Sequence, residues 1–406
     1  MTAPKLRFKE FDGDWTLQNL GDSFSLISGY AFPSSSSVDV GARWLKIADV
    51  GIQEMTPNNP SYLPLEYLDK YSQFIVSKND YVIALTRPIL NKKLKIAKVG
   101  ELYDGALLNQ RVAKIYSKTK DLDFIYSLLQ KSKTVEELEN SIAGTDPPNL
   151  SLNDVKEIKL GFPSKEEQMK IASFLTAVDE KISQLSQKLH LLGQYKQGMM
   201  QKLFSQQLRF KADDGSEFGE WSNKTIGDVA NIKRGASPRP INDSKWFDDS
   251  SSIGWVRISD VSKSKKYLLQ TEQYLSTLGI QKSRLVPKGN LIMSICATIG
   301  KPIYTGFDVC IHDGFVVFSE LQAIHEYAYY YLEYIEKNWY QYGQPGTQVN
   351  LNSDIVSNEA FPFPCLEEQT KIANFLSAID QKIDVVSEQL EQAKLWKKGL
   401  LQQMFV

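Results

Sequence analysis

Residues 166–204 and 367–405 are two copies of one segment, aligned without a gap at a constant offset of 201 residues, and 18 of the 39 paired positions are identical. The shared residues begin with Glu166-Glu167-Gln168 against Glu367-Glu368-Gln369. They continue through Lys170-Ile171-Ala172 against Lys371-Ile372-Ala373 and end at Phe204 against Phe405. A period of about 200 residues is far longer than that of solenoids or propellers, so each copy can carry a complete domain. Upstream anchors extend the repeat. Leu6-Arg7-Phe8-Lys9 returns as Leu208-Arg209-Phe210-Lys211, Trp15 as Trp221, and Leu20-Gly21-Asp22 as Ile226-Gly227-Asp228. The run Trp44 to Val50 returns as Trp255 to Val261. Between these anchors the halves diverge, so one scaffold is presented twice with different loops.

The duplicated segment carries a heptad seam. In the first copy Ile171, Leu175, Val178, Ile182, Leu185, Leu189, Leu192, Met199 and Leu203 alternate steps of four and three, with Lys196 in the vacant position. The second copy reads Ile372, Leu376, Ile379, Ile383, Val386, Leu390, Ala393, Lys397, Leu400 and Met404. A seam sustained over more than four heptads predicts a long coiled-coil helix in each half, roughly 60 Å long at 1.5 Å per residue. Pro163 and Pro364 disfavour helix just before them, and the glutamate pairs suit a helix N-terminus. Gly198 and Gly399 occupy matching interior positions at about 1 kcal/mol against alanine. They mark either a close helix approach or bend, or a weak spot near a fraying end. Phe174, Phe375, Tyr195 and Trp396 lie one step off the seam, suited to the adjoining domain or to a second interface.

The remaining segments read as mixed strand and helix. Strands are expected at Trp44 to Val50, Phe74 to Val76, Tyr81 to Leu85 and Val112 to Tyr116, then at Trp255 to Val261, Leu291 to Ile295 and Phe315 to Phe318. Helices are expected at Phe124 to Asn140 and Ile324 to Tyr340. The order gives no βαβ repeats. Four regions follow: 1–162 globular, 163–204 helix, 205–363 globular, 364–406 helix. Loops at Gly29 to Ser37 and Lys233 to Pro240 are rich in Gly, Pro, Ser and cations. Lysines cluster at 92, 93 and 95, and at 263, 265 and 266. Loops on a matched scaffold are where two copies acquire different specificities.

Hydrophobic content of 42% and charged content of 23% suit two ordinary cores. No apolar run approaches a membrane span, and the N-terminus lacks a signal-peptide apolar stretch, so a cytoplasmic location is expected. Three cysteines without CxxC spacing are expected to be reduced packing residues. A net charge of −1 weighs against a stand-alone protein that neutralises phosphates over a whole face.

Catalytic machinery is hard to find. Only His190, His312 and His325 are present, and no metal-ligand or Ser/His/Asp spacing forms around them. No Walker A sequence and no GxGxxG after a strand is found. Asp146-Pro147-Pro148-Asn149 lacks the aromatic fourth residue that an amino-methylating enzyme needs to stack a flipped base, so it reads as a turn.

Taken together, the Phe-Pro approach to each helix (Phe162-Pro163, Phe363-Pro364), the EEQxKIAxFL helix start, the Trp-(Leu/Val)-(Lys/Arg)-Ile-(Ala/Ser)-Asp-Val run and Gly346 to Leu351 resemble the specificity subunit of type I restriction-modification systems. The resemblance covers the whole chain. It departs where Thr86-Arg87-Pro88 stands against Ala297 to Gly300. It implies an α+β chain with two mixed α/β target recognition domains, separated by two long antiparallel coiled-coil helices in a pseudo-twofold tandem repeat. It further implies a non-catalytic reader of a split double-stranded DNA site, the helices acting as a ruler. No cofactor is expected in this chain. S-adenosylmethionine, ATP and magnesium belong to partners, which are two modification subunits and the restriction/translocase subunits. DNA contacts are expected from Tyr30, Arg43, Lys46, Arg87, Lys92 and Lys93, and from Arg234, Ser237, Arg239, Arg257, Lys263 and Lys301. Phe174, Lys181, Phe375 and Lys382 are candidate contacts for modification subunits, from their repetition off the seam. Two rival classes are a coiled-coil adaptor without sequence readout and a self-sufficient methyltransferase or nuclease.

Overall fold

The computed structural model describes residues 3–57, 59–142, 147–151, 153, 156–342 and 351–406. Two long helices dominate it, Lys165–Phe204 and Leu366–Gln403. The chain divides into two compact units, one of residues 1–186 with 388–406 and one of residues 187–387. Each unit therefore takes part of both long helices.

In unit 1 a four-stranded antiparallel sheet runs in the order Ser25–Ser28, Val112–Tyr116, Tyr81–Ala84, Ile96–Lys98. A three-stranded sheet pairs Ala42–Leu45 antiparallel with Tyr62–Leu63 and parallel with Leu107–Leu108. A short ribbon joins Thr16–Asn19 to Lys159–Phe162, just ahead of the long helix. Unit 2 repeats this plan. Asn231–Arg234, Phe315–Ser319, Leu291–Ser294, Pro302–Thr305 and Tyr267–Leu268 form one sheet. Gly254–Val256 pairs parallel with Val309–Ile311 in a second, and Ser222–Thr225 pairs with Ala360–Phe363 in the ribbon.

Each core closes on a helix end from the other half. Trp15, Phe124, Phe162, Ile171 and Leu175 pack with Leu400, Leu401, Met404 and Phe405 in unit 1. Trp221, Tyr327, Phe361, Ile372 and Leu376 pack with Met200, Leu203 and Phe204 in unit 2. The start of one long helix thus lies beside the end of the other within each unit, which is antiparallel packing.

The EEQ motif owes its repetition to a clasp. Glu167 and Glu368 are 1% and 0% exposed. Arg7 donates twice to Glu167 (2.8 and 2.7 Å) and Arg209 twice to Glu368 (3.0 and 2.7 Å). The indole nitrogens of Trp15 and Trp221 donate to the same carboxylates. Gln168 and Gln369 donate to the carbonyls of Pro163 and Pro364 and accept from the backbone of Asp121 and Ile324, so they staple the long helix to the start of a second one. Two buried carboxylates with a full set of charged and neutral donors tie the upstream segment to each helix.

The seam lysines are equally specific. Lys196 Nζ lies 2.8 Å from Asp380 and 2.7 Å from Glu333. Lys397 Nζ lies 2.6 Å from Asp179 and donates to Gln130 and Gln53. Lys196 and Lys397 are repeat equivalents, as are Asp179 and Asp380, so the same charge pair is made once in each unit. Burial pushes the Lys397 ammonium below its ordinary range, and the aspartate offsets that cost.

Several expected elements differ. The strand at Trp44 to Val50 stops at Leu45, and Ile47–Asp49 forms a tight helical turn because the Asp49 carboxylate accepts the Lys46 backbone N–H at 2.8 Å. Asp260 does the same for Arg257, starting a helix at Ile258–Lys263 where a strand was expected. Aspartate three residues on outweighs the β-branched pattern. Ser72–Phe74 is likewise a helical turn, leaving Ile75 as a single bridge to Leu107. The helix expected at Phe124 to Asn140 is two, Leu122–Leu128 and Ser132–Ser141, broken where Lys131 turns extended to hold the carbonyls of Phe405 and Val406. Ile324 to Tyr340 resolves into His325–Tyr334 and a tighter helix at Glu336–Tyr342. A Cβ placed on Gly198 or Gly399 would meet no atom within 4 Å, so neither glycine serves a close helix approach.

Candidate nucleic-acid interface

The two divergent loops land on the same place in each unit, and a glycine is the reason. A Cβ on Gly29 would lie 2.1 Å from the Leu108 carbonyl oxygen, and one on Gly235 would lie 2.0 Å from that of His312. Only glycine allows so close a backbone approach. Gly29 N–H then donates to Val112 and Tyr30 N–H to Leu108, while Gly235 donates to Phe315 and Ala236 to Ile311. Each loop is thereby laid across the connection between two central strands, residues 109–111 in unit 1 and 312–314 in unit 2. The ends of the strands bearing Trp44 and Trp255 border the same connection. Asn109 N–H donates to Leu45, and Val256 pairs with Ile311.

In unit 2 this cradle is lined by charge. Ser237 Oγ donates to Asp313 Oδ1 at 2.7 Å, Arg239 Nη2 to Oδ2 at 3.0 Å, and Arg234 Nε to the Asp313 carbonyl at 2.7 Å. Arg284 Nε donates to the Arg234 carbonyl, and Ser283 Oγ to that of Ala236. The Ser237 hydroxyl holds the Asp313 carboxyl below its usual range, with the Arg239 guanidinium adding to it. His312 sits between the rings of Trp255 (5.9 Å) and Phe315 (4.8 Å). Burial lowers its pKa from 6.5, outweighing the pull of Asp313 in the other direction, and the charge of Arg257 lowers it further. Its Nδ1 accepts the Gly314 N–H at 2.8 Å, which places the single proton of the neutral ring on Nε2.

Unit 1 fills the equivalent cradle differently. Tyr30 is 40% exposed and packs on Tyr71 (4.7 Å), Phe32 (5.1 Å) and Phe74 (5.6 Å). Lys46 Nζ lies 4.0 Å over the Trp44 ring. Asn109, Gln110 and Arg111 supply amides and one guanidinium, with Gln110 N–H donating to the Tyr30 carbonyl and Arg111 N–H to the Asn109 side chain.

Of the residues expected to meet DNA, Arg234, Ser237, Arg239 and Arg257 come together around His312-Asp313, and Tyr30 with Lys46 around residues 109–111. Arg43 turns inward: it donates to Tyr103 at 3.0 Å, pairs with Asp49 at 3.5 Å, and its side chain is 10% exposed. Lys301 is also committed internally, donating to the carbonyls of Val261 and Ser264 at the end of helix Ile258–Lys263, where exposed Lys263 lies. Lys92 and Lys93 are exposed on a two-residue hairpin whose central residues, Asn91 and Lys92, both have positive φ. Arg87, also at positive φ, occupies a turn pinned to residues 148–149 through its backbone and Thr86. Asp146, the first residue of the turn expected at Asp146 to Asn149, and Gly346 to Asn350 lie outside the described residues, while Leu351 is buried.

Of the candidate partner contacts, Phe174 packs edge-on to Phe8 and Trp396, and Phe375 to Phe210. Lys181 and Lys382 are exposed. Sequence reasoning missed His312, Asp313 and Arg284, together with Asn109, Gln110 and Arg111. The signal available was the glycine that ends the strand before each variable loop. Among the described residues no group of three His, Cys, Asp or Glu side chains could hold a metal ion, and no helix is long and apolar enough to cross a membrane.

Comparison with known proteins places this geometry. The family model described as "Type I restriction modification DNA specificity domain" matches residues 13–192 and 219–395. The type I restriction enzyme MjaVIII specificity subunit of Methanocaldococcus jannaschii is 31% identical over 209 residues, 51% of this chain and 49% of that protein, so this match spans about half the relative's length. Among solved structures, a type I restriction-modification S subunit from M. genitalium superposes with a TM-score of 0.62 at 16% identity, over 100% of this chain and 99% of its own. A second, from work on complex assembly and conformational transition of the type I restriction-modification system, superposes with a TM-score of 0.58 at 19% identity, over 96% and 97%. Two tandem matches that together span most of the chain establish its kinship: the protein belongs to the type I restriction-modification DNA specificity family and carries two copies of its domain.

Proposed function

We infer that this chain is the DNA-recognition subunit of a type I restriction-modification complex, in which each unit reads one part of an interrupted double-stranded site. The observation that carries this reading is the repeated cradle: the same glycine-pinned loop on the same strand ends, lined by arginines, serine and histidine in unit 2 and by tyrosine, lysine and amides in unit 1. Divergent side chains on a matched backbone are what two readers of different sequences require. Adenine methylation and DNA cleavage are then the work of partner subunits, which bring S-adenosylmethionine, ATP and magnesium. Phe174, Lys181, Phe375 and Lys382 remain candidate contacts for two modification subunits, and the complex would act in the cytoplasm.

The test is retention of a randomised duplex pool by the full chain co-purified with its modification subunit, followed by sequencing. Enrichment of a two-part site supports the reading. Equal retention of all sequences would leave a coiled-coil adaptor as the better description, and methyl transfer by the purified chain alone would make it an enzyme in its own right.

A further inference from the structure

Arg239 and Asp313 form an ion pair whose side chains are 70% and 43% exposed. Exposed pairs contribute little to stability, so stability does not explain the attention the fold gives this one. Asp313 is held from three sides: Ser237 on one carboxylate oxygen, Arg239 on the other, and Arg234 on its backbone carbonyl. The loop carrying Arg234, Ser237 and Arg239 is itself fixed by the close approach of Gly235 to His312. A guanidinium and a carboxylate are thereby presented side by side, already ordered, at the edge of the cradle. Ordering side chains before binding removes the entropy cost of ordering them on binding.

The pairing of charges selects the ligand atom. A phosphate is drawn to uncompensated positive charge, and the Asp313 carboxylate beside Arg239 cancels it and repels the phosphate oxygens. A base edge has the opposite requirement, because it alternates donors and acceptors. The major-groove edge of a G·C pair offers two acceptors, guanine N7 and O6, followed by one donor, the cytosine N4 amino group. A guanidinium followed by a carboxylate is the complement of that order. An A·T edge places the adenine amino donor between two acceptors, where it would confront the guanidinium.

We propose that Arg239 and Asp313 read one G·C pair in the part of the site contacted by unit 2, Arg239 donating to guanine N7 and O6 and Asp313 accepting from cytosine N4. The inference rests on the DNA-reading function above and names the base pair that one corner of that surface selects. Ser237 and Arg234 position this pair, Ser237 holding the Asp313 carboxylate and Arg234 its backbone carbonyl.

The experiment uses the full chain with its modification subunit and the same randomised duplex pool, comparing wild type with Arg239→Lys, Arg239→Gln and Asp313→Asn. Wild type is expected to require G·C at one position of one part of the enriched site. Arg239→Lys keeps the positive charge but loses the two-pronged fork, so G·C preference at that position should fall about tenfold or more while every other position is unchanged. Arg239→Gln and Asp313→Asn should relax the same position. Arg239 is largely exposed and Asp313 partly so, and matched thermal melting curves confirm that the variants are folded. A uniform fall in retention with the preferred sequence unaltered would make Arg239 a phosphate contact and overturn the proposal. So would an unchanged G·C requirement in all three variants. If wild type itself enriches no two-part site, the DNA-reading function fails and the inference falls with it.

Discussion

His312 is a buried imidazole whose protonation would disturb the unit 2 cradle. Its Nδ1 accepts the Gly314 N–H, and an imidazolium cannot accept. Burial holds its folded pKa below 6.5, so the unfolded chain takes up a proton first as pH falls. Its contribution to stability is therefore present above pH 6.5 and is lost as pH drops through the folded value. We expect the sequence preference of unit 2 to weaken as pH falls through that folded value while that of unit 1 persists, measured by pool enrichment over a descending pH series from about 7.5. In His312→Gln the pH dependence should flatten; if it does not, another group titrates. The clasp residues make a different kind of prediction. Glu368 is fully buried, and Arg209 and Trp221 both depend on it. Glu368→Ala should cost about 3 kcal/mol, because removing one partner strands a partly buried charge and a buried donor. Urea unfolding reads it, and a loss under 1 kcal/mol would show that the clasp is ornamental.

In the long helices, composition and contact disagree in an informative way. A lysine in a heptad seam ordinarily weakens a coiled coil while selecting one pairing among several. Here Lys397 is 5% exposed, and its ammonium meets Asp179. Asp179→Ala should destabilise unit 1 by about 3 kcal/mol, whereas the double change of Asp179 and Lys397 to leucine should recover most of the loss, as calorimetry or urea melts would show. The matching glycines invert the usual expectation for a repeated residue. Open space surrounds Gly198 and Gly399, so Gly198→Ala and Gly399→Ala should each stabilise by roughly 0.5–1 kcal/mol through helix propensity. Loss of stability in either variant would mean that the glycine conformation itself is needed.

Across the chain, each compact unit is assembled from both halves of the sequence: residues 388–406 complete unit 1, and residues 187–204 belong to unit 2. Phe405 packs on Trp15 and Phe124 just as Phe204 packs on Tyr327 and Tyr331. Replacing residues 1–160 by the corresponding segment of a relative with another specificity leaves both helices and their seam residues intact. Mapping methylated adenines in cells carrying the chimaera should show one part of the site changed and the other retained. A change in both parts would contradict independent reading by the two units.

The repeat, the two long helices and their seam were legible from residues 166–204 and 367–405, because a 3.5-residue period is a local property of the chain and needs no partner to be recognised. The family resemblance followed from the same anchors. The cradle was legible only in part. Arg234, Ser237 and Arg239 lie close together in sequence, and their loop was visible as a cluster of cations and small residues. His312 and Asp313 lie more than 70 positions away and reach that loop through strand pairing, which no local pattern encodes. For the same reason Arg43 and Lys301 looked like surface cations: their acceptors, Tyr103 and the carbonyls of Val261 and Ser264, arrive from distant segments. Sequence alone determined what is periodic and what is duplicated. Which charges face outward, and which aspartate orders which arginine, was decided by the tertiary structure, because burial and hydrogen bonding depend on neighbours that only folding brings together.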